Sequence, residues 1–137
     1  MATRLSLIAA LPLCALLAVP TAFAGANAGK EISTAIEHAN FATQMKQEKK
    51  VKMHLHHVVN CLAGPKGRGF NSDFENPCKG MGNGALKDAK GNSKAEKDLK
   101  QAFDKAQSGI TAHNYKSAHQ AAAKVEKKLK SAKNAYH

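Results

Sequence analysis

Histidine is the residue through which this sequence can do chemistry: there are seven in 137 residues. Three fall in one pentapeptide, Met53-His54-Leu55-His56-His57, followed by Asn60 and Cys61. On a helix, His54 and His57 are three apart and can meet over one ion; Met53 lies similarly close to His56 and His57. Neutral imidazole suits copper, nickel and zinc, and a nearby thioether tilts the choice toward copper, above all Cu(I). A single helical pair holds a metal weakly, so a further donor must come from elsewhere. The candidates are Met81 in a glycine-rich stretch, His119 near the C-terminus, and His38 with Met45 two turns beyond it. The expected ligands are therefore His54, His56 and His57, with Met53 and Met81 auxiliary and His38 or His119 completing the set. An isolated histidine such as His113 or His137 is more simply a surface or capping residue.

Other chemistries find little support. The ten carboxylates are scattered, mostly beside lysine at helical spacing, where surface ion pairing explains them. Asp73 and Glu75, with Asn71 and Asn76, make at most a weak calcium patch whose order does not match an EF-hand loop. No serine sits in a nucleophile elbow. Gly80-Met81-Gly82-Asn83-Gly84 follows no strand and is no nucleotide fingerprint. Non-covalent haem held across a bundle by His38, Met45, Met53 or His119 is conceivable, but there is no Cys-x-x-Cys-His for covalent attachment. The chain is expected to bind rather than catalyse.

The elements that must position these side chains read as helices. No stretch alternates β-branched and polar residues over a strand's length, tryptophan is absent, and alanine recurs throughout, which suits closely packed helices. Residues 29–62 contain neither proline nor an internal glycine beyond the first position, and apolar residues recur at helical steps. Ile32, Ala35, Ala39 and Ala42 form one seam; Val51, Leu55, Val58 and Leu62 form another on a different side of an ideal helix. With no breaker between them, a single long helix with a skip is expected over about 29–62. Leu55, Val58 and Leu62 would face the core, leaving Met53, His56, His57 and Asn60 opposite. Gly64-Pro65 stops that helix. Residues 63–92, rich in glycine, read as an ordered loop with a short helical turn near Ala85-Leu86; a loop this long is often functional. Ser93 with Glu96 makes a capping box for a helix over about 93–109 that Gly109 ends. Tyr115, Ala118, Ala122, Val125, Leu129, Ala132 and Tyr136 then mark a helix over about 114–135 with a bundle-type stripe. The fold class is all-α: a three- to four-helix bundle with a long, stapled loop.

The N-terminus sets the compartment. A short positive start through Arg4, an apolar run from Leu5 to Val19 and small residues at Ala22 and Ala24 make a secretory signal peptide over residues 1–24. The run is short for a span, which needs roughly 20 residues. Ala26-Asn27-Ala28 offers a second cleavage site, and residues 25–137 form a single exported helical domain, periplasmic or secreted. Cys14 leaves with the leader. Cys61 and Cys78, in an oxidising compartment, are expected as a disulfide closing roughly 17 residues and contributing about 3 kcal/mol; a thiolate metal site is the competing reading. The formal charge of +11 favours anionic partners, but the cations are lysines spread among alanines, without the arginine clusters of a specific nucleic-acid site.

Ala35-Ile36-Glu37-His38-Ala39 and Ser117-Ala118-His119-Gln120-Ala121-Ala122, with histidine at the seam edges, resemble the small periplasmic His-rich helical metal-binding proteins of bacteria. The resemblance covers the helices and implies a compact bundle that binds divalent or copper ions. The Cys-bounded insertion and the smaller number of histidines depart from that pattern, which favours one or two sites over high capacity. The expected function is sequestration or carriage of copper, nickel or zinc in the cell envelope. The alternative is a basic interaction protein whose Lys124, Lys127, Lys128, Lys130 and Lys133 dock on anionic lipid, polysaccharide or an acidic protein; a haem carrier is the third.

Overall fold

The computed structural model describes residues 22–136, and side chains from Asn27 to Ala135. Residues 1–21, which hold most of the expected signal peptide, lie outside the described residues, as does His137. Four main helices pack as a bundle, α1 (Ala22–Gln44), α2 (Glu48–Ala63), α4 (Ser93–Ile110) and α5 (Tyr115–Lys133); a short fifth, α3 (Ala85–Asp88), lies between α2 and α4, and a 3-10 turn over Asn134–Tyr136 follows α5. Among the described residues no helix is long and apolar enough to cross a membrane.

The single helix expected over 29–62 is two helices. The chain breaks at Met45-Lys46-Gln47, where Gln47 is extended (φ −115°, ψ 129°), and α2 packs back along α1. The cause lies in the two seams. Ile32, Ala35, Ala39 and Ala42 are fully buried, and so are Val51, Leu55, Val58 and Leu62. A straight helix would carry those seams on different sides and bury one at the expense of the other. Burying a Val or Leu side chain is worth about 1.5–3 kcal/mol, whereas each backbone hydrogen bond lost at the break costs about 1 kcal/mol net. Four aliphatic side chains outweigh one missing turn. The hairpin turn is tied down from outside by the Tyr115 hydroxyl, which donates to the Met45 carbonyl at 3.1 Å.

The last two helices form the expected hairpin with small shifts in detail. Asn92, one residue before Ser93, caps α4 by accepting the Ala95 N–H at 3.1 Å, and Glu96 reaches back to the Gly91 N–H at 2.7 Å. Gly109 does not end α4 but lies inside it, where a Cβ would stand 2.6 Å from Leu55 Cδ1 and 2.8 Å from Ala121 Cβ. Asn114 caps α5 through the Ser117 N–H. The stripe of α5 is buried at Ala118, Ala122, Val125, Leu129 and Ala132, while Tyr115 stays on the surface. Asp98 of α4 joins the two helices, accepting from Ser131 Oγ at 2.7 Å and Lys128 Nζ at 3.3 Å; these donors hold its carboxyl below the usual range.

The connection between α2 and α4 is an ordered strap. Cys61 and Cys78 form the disulfide, with Cα atoms 5.1 Å apart. Asn60, fully buried on α2, is its second anchor. Its Nδ2 donates to the carbonyls of Asn71, Phe74 and Glu75 at 2.9–3.1 Å, and its Oδ1 accepts the Asn71 N–H. Glu31 of α1 is the third, accepting the Gly84 N–H at 2.9 Å. Gly64 adopts φ +68° beneath this crossing, and a Cβ there would fall 2.0 Å from the Asn83 carbonyl oxygen. Only glycine fits that approach.

Candidate metal centre

The break in the helix creates the site. Folding α2 back on α1 sets His38 opposite His54 and His57, residues separated by 16 and 19 positions. The Nδ1 of His38 lies 3.3 Å from Nδ1 of His54 and 3.1 Å from Nδ1 of His57. One ring nitrogen from each of the three stands within 4.8 Å of the other two. The rings are splayed: His57 is nearly perpendicular to both His38 and His54, and the centroids are 4.8–5.5 Å apart. Their edges converge through Nδ1 of His38.

Burial disfavours the protonated form of these rings. Burial pushes the His38 imidazolium down to about 4, with the charges of His57 and then His54 acting in the same direction. His54 is likewise lowered by burial and then by His57. His57, only 7% exposed, is lowered by burial against the opposing charge of Glu75. A neutral imidazole has one N–H and one lone pair. The Nδ1 of His38 therefore satisfies at most one of its two close neighbours with a good hydrogen bond, leaving nitrogen facing nitrogen at the other. A cation resolves this. Imidazole nitrogens bound at about 2.0–2.1 Å to a tetrahedral ion stand about 3.3 Å from one another, which the two observed separations approach.

Phe41 and Glu75 complete the surroundings, and neither was singled out by its sequence context as part of a histidine site. Phe41, one turn beyond His38, is 42% exposed, an unusual place for a phenylalanine. Its ring lies 5.6 Å from His38 edge-on and 5.5 Å from His54, forming an apolar cover. Glu75 belongs to the strap that Asn60 holds, and supplies negative charge beside His57.

The other sequence candidates lie elsewhere. His56 stacks face to face on Phe74 of the strap, centroids 3.8 Å apart and planes 7° from parallel; its buried Nδ1 has no hydrogen-bond partner. Burial and the charge of His57 lower it. His119 of α5 donates through Nε2 to the Thr43 carbonyl at 2.7 Å and so ties α5 to the end of α1. Met81 packs against the core and its Sδ accepts from the Thr34 hydroxyl at 3.7 Å. Met53 is partly exposed on α2 and shares no hydrogen bond with the cluster among the described residues. His57 and Asn60 are buried rather than solvated, because the strap covers the side of α2 that the helix periodicity turns away from the core. The lysines of α5 are partly engaged: Lys128 with Asp98, Lys130 with Glu126 at 2.6 Å, and Lys133 with the Gly29 carbonyl at 2.9 Å.

No protein-family model matches this chain, and neither a curated protein nor a solved structure does. The functional reading rests on the site itself.

Proposed function

We propose that this protein binds one divalent transition-metal ion (zinc, nickel or copper) through His38, His54 and His57, and works in the cell envelope as a carrier or sequestering protein rather than an enzyme. The observation that carries the reading is the convergence of three imidazoles from two separate helices. With the cysteines paired and the Met81 sulfur engaged elsewhere, the donors offered are nitrogen, with carboxylate oxygen from Glu75 beside them. That set suits Zn²⁺, Ni²⁺ or Cu²⁺ better than Cu(I). The disulfide and the leader-like N-terminus support an oxidising compartment outside the cytoplasm.

Titration calorimetry of the oxidised protein with each ion tests this. One equivalent is expected to bind, and at 100 times the dissociation constant the ion adds about 2.7 kcal/mol to stability. Replacing His38, His54 or His57 with alanine weakens binding at least about tenfold, following the loss typical when a metal site is perturbed. His56→Ala and His119→Ala leave it nearly unchanged. No heat and no rise in melting temperature with any of the three ions would remove the proposal. So would equal losses across all five variants.

A further inference from the structure

A second site lies away from the histidines, between the strap segment 63–69, α3 and α4. We propose that this cleft binds an amphiphilic anion, a carboxylate or phosphate head on an aliphatic chain. Its volume is about 770 Å³, within the range of small-molecule sites. The floor is apolar: Leu86 and Phe103 pack against the core and also line the cleft, with Pro65 beside them.

The rim is cationic and exposed. Lys66, Arg68, Lys87 and Lys90 line it, and among the described residues none of the four makes an ion pair. The two carboxylates in the same cleft are already engaged. Asp104 pairs with Lys100 at 3.4 Å, and Glu96 accepts the Gly91 N–H. An anionic head would therefore meet free cations, including an arginine able to offer two parallel donors. A chain of matching length would cover Leu86 and Phe103. A flat polyanion would reach the rim but leave that floor wet, and a bare metal ion would be repelled by the surplus of cations.

The wall is built to hold its shape. A Cβ at Gly67 would stand 1.9 Å from the Ala63 carbonyl oxygen, and one at Gly69 would stand 2.7 Å from the Phe103 ring. The strap thus lies tight on α2 and α4, so the cleft exists before any ligand arrives and binding requires little ordering.

The test is calorimetry with decanoate, decyl phosphate, decanol and decyltrimethylammonium, each below its micellar concentration, on the disulfide-intact protein. Decanoate or decyl phosphate is expected to bind one to one, at least about tenfold more tightly than decanol, with affinity falling as salt rises; comparing the two anions distinguishes a carboxylate from a phosphate head. The double variant Lys87→Glu/Lys90→Glu should weaken the anion at least about tenfold. Lys124→Glu/Lys127→Glu, the same charge change on exposed α5, should leave it within about twofold, and so should His38→Ala. Decanol or the cation binding as tightly as the anions would overturn the proposal. Equal losses from the two lysine pairs would do so as well, because the effect would then be one of net charge alone.

Discussion

The buried Glu31 and the half-buried His38 act in opposite directions on the pH dependence of stability. Glu31 is 1% exposed; one carboxylate oxygen accepts the Gly84 N–H and the other has no partner. Burial, with the nearby Asp88 carboxylate adding to it, holds its pKa up to about 7. The folded state keeps a proton there that the unfolded chain loses above its ordinary value of 4.5, so this group's contribution declines as pH rises from about 4.5 to 7. His38 works the other way. Its pKa is lowered from 6.5 to about 4, so the unfolded chain binds the extra proton, and stability is lost as pH falls through that window. Glu31→Gln keeps an acceptor for Gly84 and removes only the titration. Melting curves at several pH values should show the variant gaining on the parent steadily between pH 5 and 7; an offset independent of pH would contradict the assignment. The clustered histidines were legible as a metal signal, and His54 with His57 as its helical pair. His38 stood among the candidates for the further donor beside Met81 and His119, but nothing local singled it out, because it lies 16 and 19 positions from its partners. Phe41 was one turn from His38 in plain view, but an exposed aromatic has no meaning until its neighbours are known.

At the scale of elements, the strap is the feature whose strength can be measured. Asn60 makes four hydrogen bonds to the backbone of residues 71–75, and removing its amide leaves several of those groups unpaired under the strap. Asn60→Ala should cost about 3 kcal/mol in denaturant unfolding, at net values near 1 kcal/mol per bond. A loss below about 1 kcal/mol would mean that water replaces the amide and that the strap is not held from within. Reduction of Cys61–Cys78 should separately cost about 3 kcal/mol. The sequence displayed α5 almost completely, since every buried residue of that helix falls on the stripe its spacing marks. It displayed the α1–α2 break only indirectly. Two seams on different sides of one ideal helix are a tertiary conflict, and with neither proline nor glycine at residues 45–47 no local residue resolves it in favour of a turn. Asn60 was similarly silent, because an asparagine in a helix acquires a role only from the segment that crosses it.

For the whole molecule, the start of α1 bears on where the proposed exported form would begin. Ala28 is fully buried, and the Gly29 carbonyl accepts from both Ser33 Oγ and Lys133 Nζ at 2.9 Å. Cutting after Ala28 would delete a core residue and place a charged amine against that core, whereas cutting after Ala24 spares both. If the leader is removed as proposed, the mass of the mature protein should therefore correspond to a chain beginning at Gly25; a chain beginning at Gly29 would show that the first two turns of α1, the buried Ala28 included, are dispensable. The net positive charge is also divided rather than uniform. Several lysines of α5 are held by internal partners, while the four free cations of the cleft surround an apolar floor. Charge was readable from composition; its arrangement depended on how the strap lies across α4.

X-ray absorption at the zinc edge of the oxidised, zinc-loaded protein reports the ligand shell directly. Three imidazoles are expected at about 2.0–2.1 Å, with the outer-shell scattering of their rings, and one of them should be lost in His38→Ala. A sulfur shell near about 2.3 Å, or a spectrum without imidazole scattering, would contradict the account.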